Sequence, residues 1–382
     1  MARGHVRRRG KGWAAVWDEG RGEEGKRRQR WKSGFPTRRE AQAYLVDVLG
    51  RLGDGTYVAP SKLALRDYLN DEWLPAVEAT VRPLTLAQYR SVVKLRILPK
   101  LGGLKLQGIT GAHVTALYRE LEQAGLAVAT RRQTHAVLHR AFADAIRWGR
   151  LVKNPAAAAD PPALTRTRVT AWSEKELARF LNHVREADPR LWALWRLAAT
   201  TGMRRGELAG LTWRALDLDG ARVTVDQQLV PTRGGVTFGP PKSERSRRTI
   251  TLDADTVEAL SAHRDTQVLE RTIAGEAYTD GDLVFADELG APIHPQRLTG
   301  RFTAHRKAAG LPVGTLHVLR HTAATLMLLN GVPLHVVARR LGDDERTVLA
   351  NYAHLLPQAD EAAAEVVAGL LGGGSGLQGV SK

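Results

Sequence analysis

The sequence predicts a multidomain protein: a small α+β N-terminal module, an all-α domain, and a larger, mainly α domain with a small β-sheet. Three observations predict it. A length of 382 residues suggests two or three domains rather than one. The apolar pattern changes along the chain, from short aromatic runs, to helical spacing alone, to helical spacing interrupted by short strands. Gly- and Pro-containing stretches at 53–60 and 160–170 fall where the pattern changes. The expected divisions are 1–59, 61–160 and 170–372, with 373–382 as a flexible Gly/Ser-containing tail.

In the first module, Trp13-Ala14-Ala15-Val16-Trp17 and the run from Arg27 to Lys32 read as two strands joined by a Gly/Glu turn. Thr37-Arg38-Arg39-Glu40 is a capping box that opens a helix to about Leu52. Ala41, Tyr44, Leu45, Val48, Leu49 and Leu52 form one stripe of that helix. The stripe is expected to pack on the sheet with Trp13, Trp17 and Trp31. Arg7, Arg8, Arg9, Arg28 and Arg30 are then left for an open face, suited to a DNA groove.

The second region reads as four or five helices: Leu63 to Trp73, Thr85 to Ile97, Gly111 to Ala124 and Thr130 to Trp148 are the clearest. Val137, Leu138, Ala141, Phe142, Ala145 and Ile146 make the buried stripe of the last. Arg90, Lys94, Arg131 and Arg132 are candidate phosphate contacts, although a solvated surface explains each as well. In the third region, Ser173-Glu174-Lys175-Glu176 opens a helix, and Leu191 to Thr201 is nearly all apolar and so central. Strands are expected at Arg222 to Val225, Thr237-Phe238 and Arg248 to Leu252. Helices follow to Leu341, with Gly331 ending the penultimate one. A last amphipathic helix is expected at Asp360 to Leu371.

Composition narrows the chemistry. No run of 18 apolar residues exists, so no transmembrane helix is expected. The basic N-terminus leads into no apolar stretch, so a secretory signal peptide is not expected either. With no cysteine in the chain, disulfides, thiolate catalysis and cysteine metal sites are impossible, which fits a reducing cytoplasm. No His-Glu-x-x-His or comparable spacing points to a metal, and no cofactor is called for. Net charge is +16. Residues 1–168 carry 31 Lys/Arg against 15 Asp/Glu, whereas residues 169–382 carry 25 of each. The excess lies wholly in the first half and points to a polyanion. Double-stranded DNA on which counterions are released fits better than an anionic membrane, for which no convincing amphipathic helix exists.

Breaking a phosphodiester without metal or cofactor needs a nucleophile, positive donors for the developing charge, a general acid for the leaving oxygen and a base. Tyr352 is a candidate nucleophile whose high pKa an arginine pocket would lower. Arg204 follows a Thr-Gly turn, and Glu207, three residues on, is placed to orient it. Lys242 lies in a Pro-Pro-Lys-Ser turn leading towards a strand. His317 and Arg320 are one helical turn apart and share a face, with His321 beside them. Taken singly, each reads as well as an ion pair or a solvated side chain.

Taken together they resemble the tyrosine recombinases of the phage-integrase type. The matching motifs are Thr201-Gly202-Met203-Arg204-Arg205-Gly206-Glu207, Pro241-Lys242-Ser243, His317-Val318-Leu319-Arg320-His321, and Leu341-Gly342 followed by Tyr352. The resemblance implies the tyrosine recombinase catalytic fold in 170–372, a helical core-binding domain in 61–160 and an arm-type DNA-binding module in 1–59. It implies that Tyr352 attacks the scissile phosphate to give a 3′-phosphotyrosyl link. Arg204 and Arg320 would clamp the phosphate, Lys242 would act as general acid, and His317 would assist proton transfer. It also implies a homotetramer on two DNA partners, joined through the C-terminal helix, with a host DNA-bending factor or an excisionase as further partners. The expected outcome is integration or excision of a prophage or integrative plasmid. A chromosome-dimer resolvase of the same family, a type IB topoisomerase and a DNA-binding relative with impaired catalysis are the alternatives. The sequence departs from the family at Asp343, where a histidine or tryptophan donor is usual. Asp343 or Asp344 is expected instead to cap the helix carrying Tyr352.

Overall fold

In a computed structural model the chain divides into two compact units, Met1–Thr165 and Arg166–Lys382. The structure describes residues 4–21, 27–163, 171–232, 234–241, 243–353 and 367–369.

The first unit opens with three antiparallel strands, Gly4–Arg9, Gly12–Arg21 and Arg27–Phe35, in sequential order. The first of them was not expected, because its one apolar residue, Val6, gives no visible alternation. The helix Arg38–Gly53 packs on one face through Leu45 and Val48, which meet Ala15 and Trp17. Thr37 Oγ1 accepts from the Glu40 amide at 3.2 Å and donates to the Glu40 carboxylate at 2.9 Å. Trp31 does not join this core. It pairs across the sheet with Val16, one residue out of step with Trp17, and the strand's two-residue period turns it to the other face. It is 53% exposed, with the Arg9 guanidinium over its ring at 5.6 Å.

A separate core holds the helical part of this unit. Leu65–Asp67, Tyr68–Trp73 and Leu74–Glu78 follow without a break, as do Pro83–Val92, Val93–Ile97 and Leu98–Leu101. The middle segment of each run is π-helical. Gly111–Gln123 and Val128–Arg147 complete the core. Tyr68 and Trp73, both fully buried, send their polar atoms to Ala141 O and the Asp144 carboxylate at 2.7 and 2.9 Å. That pairing is what makes the burial of a phenol and an indole tolerable.

The second unit is built around Trp192–Thr201, whose buried face contacts Glu174–Ala187, Ala254–Ala274 and His317–Leu329. Trp172, Phe180, Trp195 and Phe302 form an aromatic cluster with centroids 5.3 to 6.3 Å apart. Each such pair is worth about 0.5–1.5 kcal/mol beyond its buried area. Ser173 and Glu176 cap their helix reciprocally, as the sequence indicated. The strands Leu216–Asp217, Arg222–Val225 and Arg248–Thr251 form one small sheet, and Gln228–Thr232 with Gly235–Gly239 form a separate hairpin. The helices Leu334–Leu341 and Glu345–Tyr352 share a small core with Ala324 and Leu328. Gly331, at φ 75°, follows His317–Leu329 and allows the chain to turn out of that helix.

Candidate active site

Two glycine turns place the site. Gly202 ends Trp192–Thr201 at φ 65°, and a Cβ there would lie 2.6 Å from Leu341. Gly342 ends Leu334–Leu341 at φ 66°, and a Cβ there would lie 2.9 Å from Arg248 Nη1. Left-handed backbone and close approach both require glycine at these positions. Each turn's carbonyl then holds an arginine from elsewhere. Gly202 O accepts from Arg320 Nη1 at 2.8 Å, and Gly342 O accepts from Arg204 Nη2 at 3.0 Å.

Beneath them lies Glu207, 2% exposed. One carboxylate oxygen accepts from Arg204 Nη1 at 2.8 Å and Arg248 Nη1 at 3.3 Å. The other accepts from the Arg204 amide at 2.8 Å and Arg248 Nη2 at 2.9 Å. Burial pushes the Glu207 pKa up, but the bonds and charges of Arg248 and Arg204 outweigh it and hold it below the usual carboxylate range. Glu207 is therefore ionised at neutral pH and fixes the Arg204 side chain. Arg248, 8% exposed, also donates to Ser246 O and Arg340 O. The sequence signal for it is its two-residue spacing from the apolar Ile250. Along its strand burial alternates, so Arg248 had to point inward with Ile250.

Asp343 joins the two arginines. Its Oδ1 accepts from Arg204 Nη2 at 2.5 Å and its Oδ2 from Arg320 Nη2 at 2.6 Å. Partial burial raises its pKa, but Arg320 and Arg204 hold it below the ordinary value. The helix cap expected of this pair belongs to Asp344, which accepts from the Arg346 amide at 2.9 Å. Asp343 therefore faces the arginine side chains rather than backbone N–H groups, because the Gly342 turn aims it inward.

His317 keeps an exposed surface, while desolvation and the charges of Arg320 and Arg204 lower its pKa. Its ring stands edge-on to His321, centroids 4.6 Å apart. Tyr352, 4% exposed, reaches not His317 but His321, with its hydroxyl 2.6 Å from Nδ1. Burial pushes the phenol up to about 12, and burial with the neighbouring His317 and Arg320 takes His321 down to about 4. Both rings are neutral at pH 7. With the imidazole proton on Nε2, the phenol donates to Nδ1.

Arg204, Arg320, His317, His321, Glu207, Asp343 and Tyr352 thus come together from four segments of chain. Lys242 and most of the Asp360–Leu371 segment lie outside the described residues, and of that segment only residues 367–369 are described, as helix. The N-terminal candidates Arg7, Arg8, Arg9, Arg28 and Arg30 are exposed. Arg90 is exposed and pairs with Glu78 at 3.1 Å, and Lys94 is exposed. Arg131 pairs with Glu122 at 2.8 Å and Arg132 donates to Pro162 O at 3.1 Å, so both are engaged within their own unit.

Comparison with known proteins gives a consistent picture. Residues 171–359 match the phage integrase family, 5–52 the arm DNA-binding domain, and 65–121 the N-terminal SAM-like domain of phage integrases. A "tyrosine recombinase XerC-like" protein of Caldanaerobacter subterraneus is 28% identical over 351 residues, covering 87% of this chain and 89% of its own. The Tn1549 transposon integrase in complex with transposon right end DNA superposes with TM-score 0.68 at 19% identity, over 80% of this chain and 100% of that one. A lambda integrase tetramer bound to a Holliday junction superposes with TM-score 0.56 at 21% identity, over 89% and 91%.

Proposed function

This chain belongs to the phage integrase family and is a tyrosine-type site-specific recombinase, and from that premise we propose that it cuts and rejoins DNA through a 3′-phosphotyrosyl link on Tyr352. The observation that carries this reading is the aim of two guanidiniums, Arg204 and Arg320, at a single anionic group. They come from segments far apart in sequence, Arg204 from the turn after Gly202 and Arg320 from the helix His317–Leu329. An anion site of that kind suits the non-bridging oxygens of a phosphodiester.

In the reaction, the Tyr352 oxygen bonds to phosphorus and the bond to the 5′ oxygen breaks. The phenol's proton passes to a nearby base, assisted by His317, whose lowered pKa leaves it able to accept. Lys242 supplies the proton that leaves with the 5′ oxygen. A 5′-hydroxyl of the partner strand then attacks the phosphotyrosine in the reverse sense, so the bond energy is conserved and neither ATP nor metal is required. Arg204 and Arg320 stabilise the pentacoordinate charge, and Glu207 with Arg248 holds Arg204 in register.

The arm-domain match at 5–52, with its exposed arginines, supports binding to two classes of site, as expected for integration or excision of a prophage or integrative plasmid. It weighs against a chromosome-dimer resolvase and a type IB topoisomerase. A homotetramer on DNA, joined through the C-terminal segment at 360–371, completes the scheme, with a host bending factor or excisionase setting direction. One observation favours a second reading: Asp343 occupies the arginine pair, as in a DNA-binding relative with impaired catalysis. Nicked suicide DNA carrying the core site separates the two. The wild-type chain is expected to form an SDS-stable adduct that Tyr352→Phe does not, and equal adduct yields from both would refute the assignment.

A further inference from the structure

We propose that Asp343 is an internal occupant of the phosphate site, a carboxylate that holds Arg204 and Arg320 ready and is exchanged for the scissile phosphodiester. The inference rests on the recombinase reading and deepens it.

The donor inventory favours exchange over simple addition. An arginine has five N–H donors. Four of those on Arg204 are taken: Nη1 donates to Glu207 at 2.8 Å and Ser246 Oγ at 3.2 Å, and Nη2 to Gly342 O at 3.0 Å and Asp343 at 2.5 Å. Arg320, 3% exposed, gives Nη1 to Gly202 O and Nη2 to Asp343. While Asp343 stays, an incoming phosphate finds the two inward-aimed N–H groups occupied. A carboxylate and a phosphodiester each present two oxygens sharing one negative charge, so one replaces the other donor for donor.

Charge makes the exchange feasible. The cluster holds three guanidiniums, Arg204, Arg248 and Arg320, against two carboxylates, Glu207 and Asp343. Replacing Asp343 by a singly charged phosphodiester leaves that balance unchanged. In the DNA-free protein, Asp343 spares Arg320 the cost of a buried, unpaired charge. The displaced carboxylate has somewhere to go. Asp343 borders a cleft of about 510 Å³ in which Arg245, Arg247, Arg339 and Arg346 outnumber the carboxylates of Asp344 and Glu345. Asp343 acts through the arginines and is therefore a positioning residue.

The test uses the full, DNA-free chain and inorganic phosphate as probe, with thermal unfolding followed in phosphate and in chloride at matched ionic strength. Asp343→Asn is expected to lose stability in chloride and regain it in phosphate. Half-saturation should come at a roughly tenfold lower phosphate concentration than for wild type, the ratio of losing one charge-assisted competitor. Asp343→Ser repeats the test with a smaller neutral side chain, and Asp343→Glu is expected to stay near wild type. On nicked core DNA, Asp343→Asn should lower the DNA concentration for half-maximal adduct by a similar factor, with a smaller change in the saturating rate. Equal phosphate response in wild type, Asn and Ser variants would overturn the proposal and leave Asp343 a structural ion pair. The phosphate titration involves neither DNA nor chemistry, so it stands or falls separately from the Tyr352→Phe comparison.

Discussion

Replacing Glu207 by Gln removes one charge and almost no volume from the floor of the arginine site. The carboxylate is 2% exposed and accepts four hydrogen bonds, three of them from the guanidiniums of Arg204 and Arg248. Glutamine offers one acceptor oxygen and turns its NH2 towards a guanidinium, so at least one donor pair faces a donor. Arg248 then stays buried without its counter-charge. Removing one partner of a buried ion pair costs about 3–5 kcal/mol. Arg248 keeps Ser246 O and Arg340 O, which places the loss at the low end, about 3 kcal/mol. For a unit of this size each kcal/mol moves Tm by roughly 2–4 °C, so Glu207→Gln should melt about 6–12 °C below wild type. Thermal unfolding by circular dichroism measures it, and adduct formation on nicked DNA should fall in the same variant because Arg204 loses its support. The reasoning fails if Tm moves by less than about 2 °C, a shift expected of an ordinary surface substitution. A double-mutant cycle with Arg248→Met then isolates the pair, and a coupling near zero would locate the cost elsewhere.

Acid should destabilise the second unit. His321 sits at about 4 when folded, against an unfolded value near 6.5, so the unfolded chain binds more protons between these values. Stability contributed by His321 is complete above about pH 6.5 and is lost as pH falls towards 4, and His317 and His263 shift in the same direction. A Tm that stays level from pH 7.5 to 5 would contradict this. Gly342→Ala forces a left-handed alanine and sets its Cβ 2.9 Å from Arg248 Nη1, so a loss of about 2–4 kcal/mol is expected, read as a lowered Tm. A Tm equal to wild type would show the turn to be more permissive than its geometry. In the N-terminal module, Arg7→Ala with Arg9→Ala should weaken binding to arm-type DNA and reduce the slope of log affinity against log salt by about 2. Their strand register places both arginines on the Trp31 face of the sheet, so an unchanged slope would remove that face from the DNA interface.

What the sequence disclosed and what it hid follow from range and period. Arg204, His317 and Arg320 were legible because their motifs are local, and the helix caps at Thr37 and Ser173 were legible for the same reason. The strand Gly4–Arg9 was missed because a run of arginines masks alternation, and Trp31 was put on the wrong face because its register with Val16 depends on the pairing of two strands. Arg248 could have been found from its parity with Ile250. The bridging of Arg204 and Arg320 by Asp343 could not, since it joins positions 139 and 23 residues apart through a turn whose direction only the packed fold sets. Likewise, the preference of Tyr352 for His321 over His317 is decided by how the helix Glu345–Tyr352 lies on His317–Leu329.

The central claim is that Tyr352 becomes covalently linked to DNA. Trypsin cuts after Arg346, and residues 347–382 contain no further Lys or Arg before Lys382 and only one tyrosine. After trapping on nicked core DNA and digestion with nuclease and trypsin, mass spectrometry should find a nucleotide attached to that peptide, on Tyr352, through the 3′ phosphate. An adduct mapped to any other residue, or a trapped complex in which this peptide carries no nucleotide, would contradict the account.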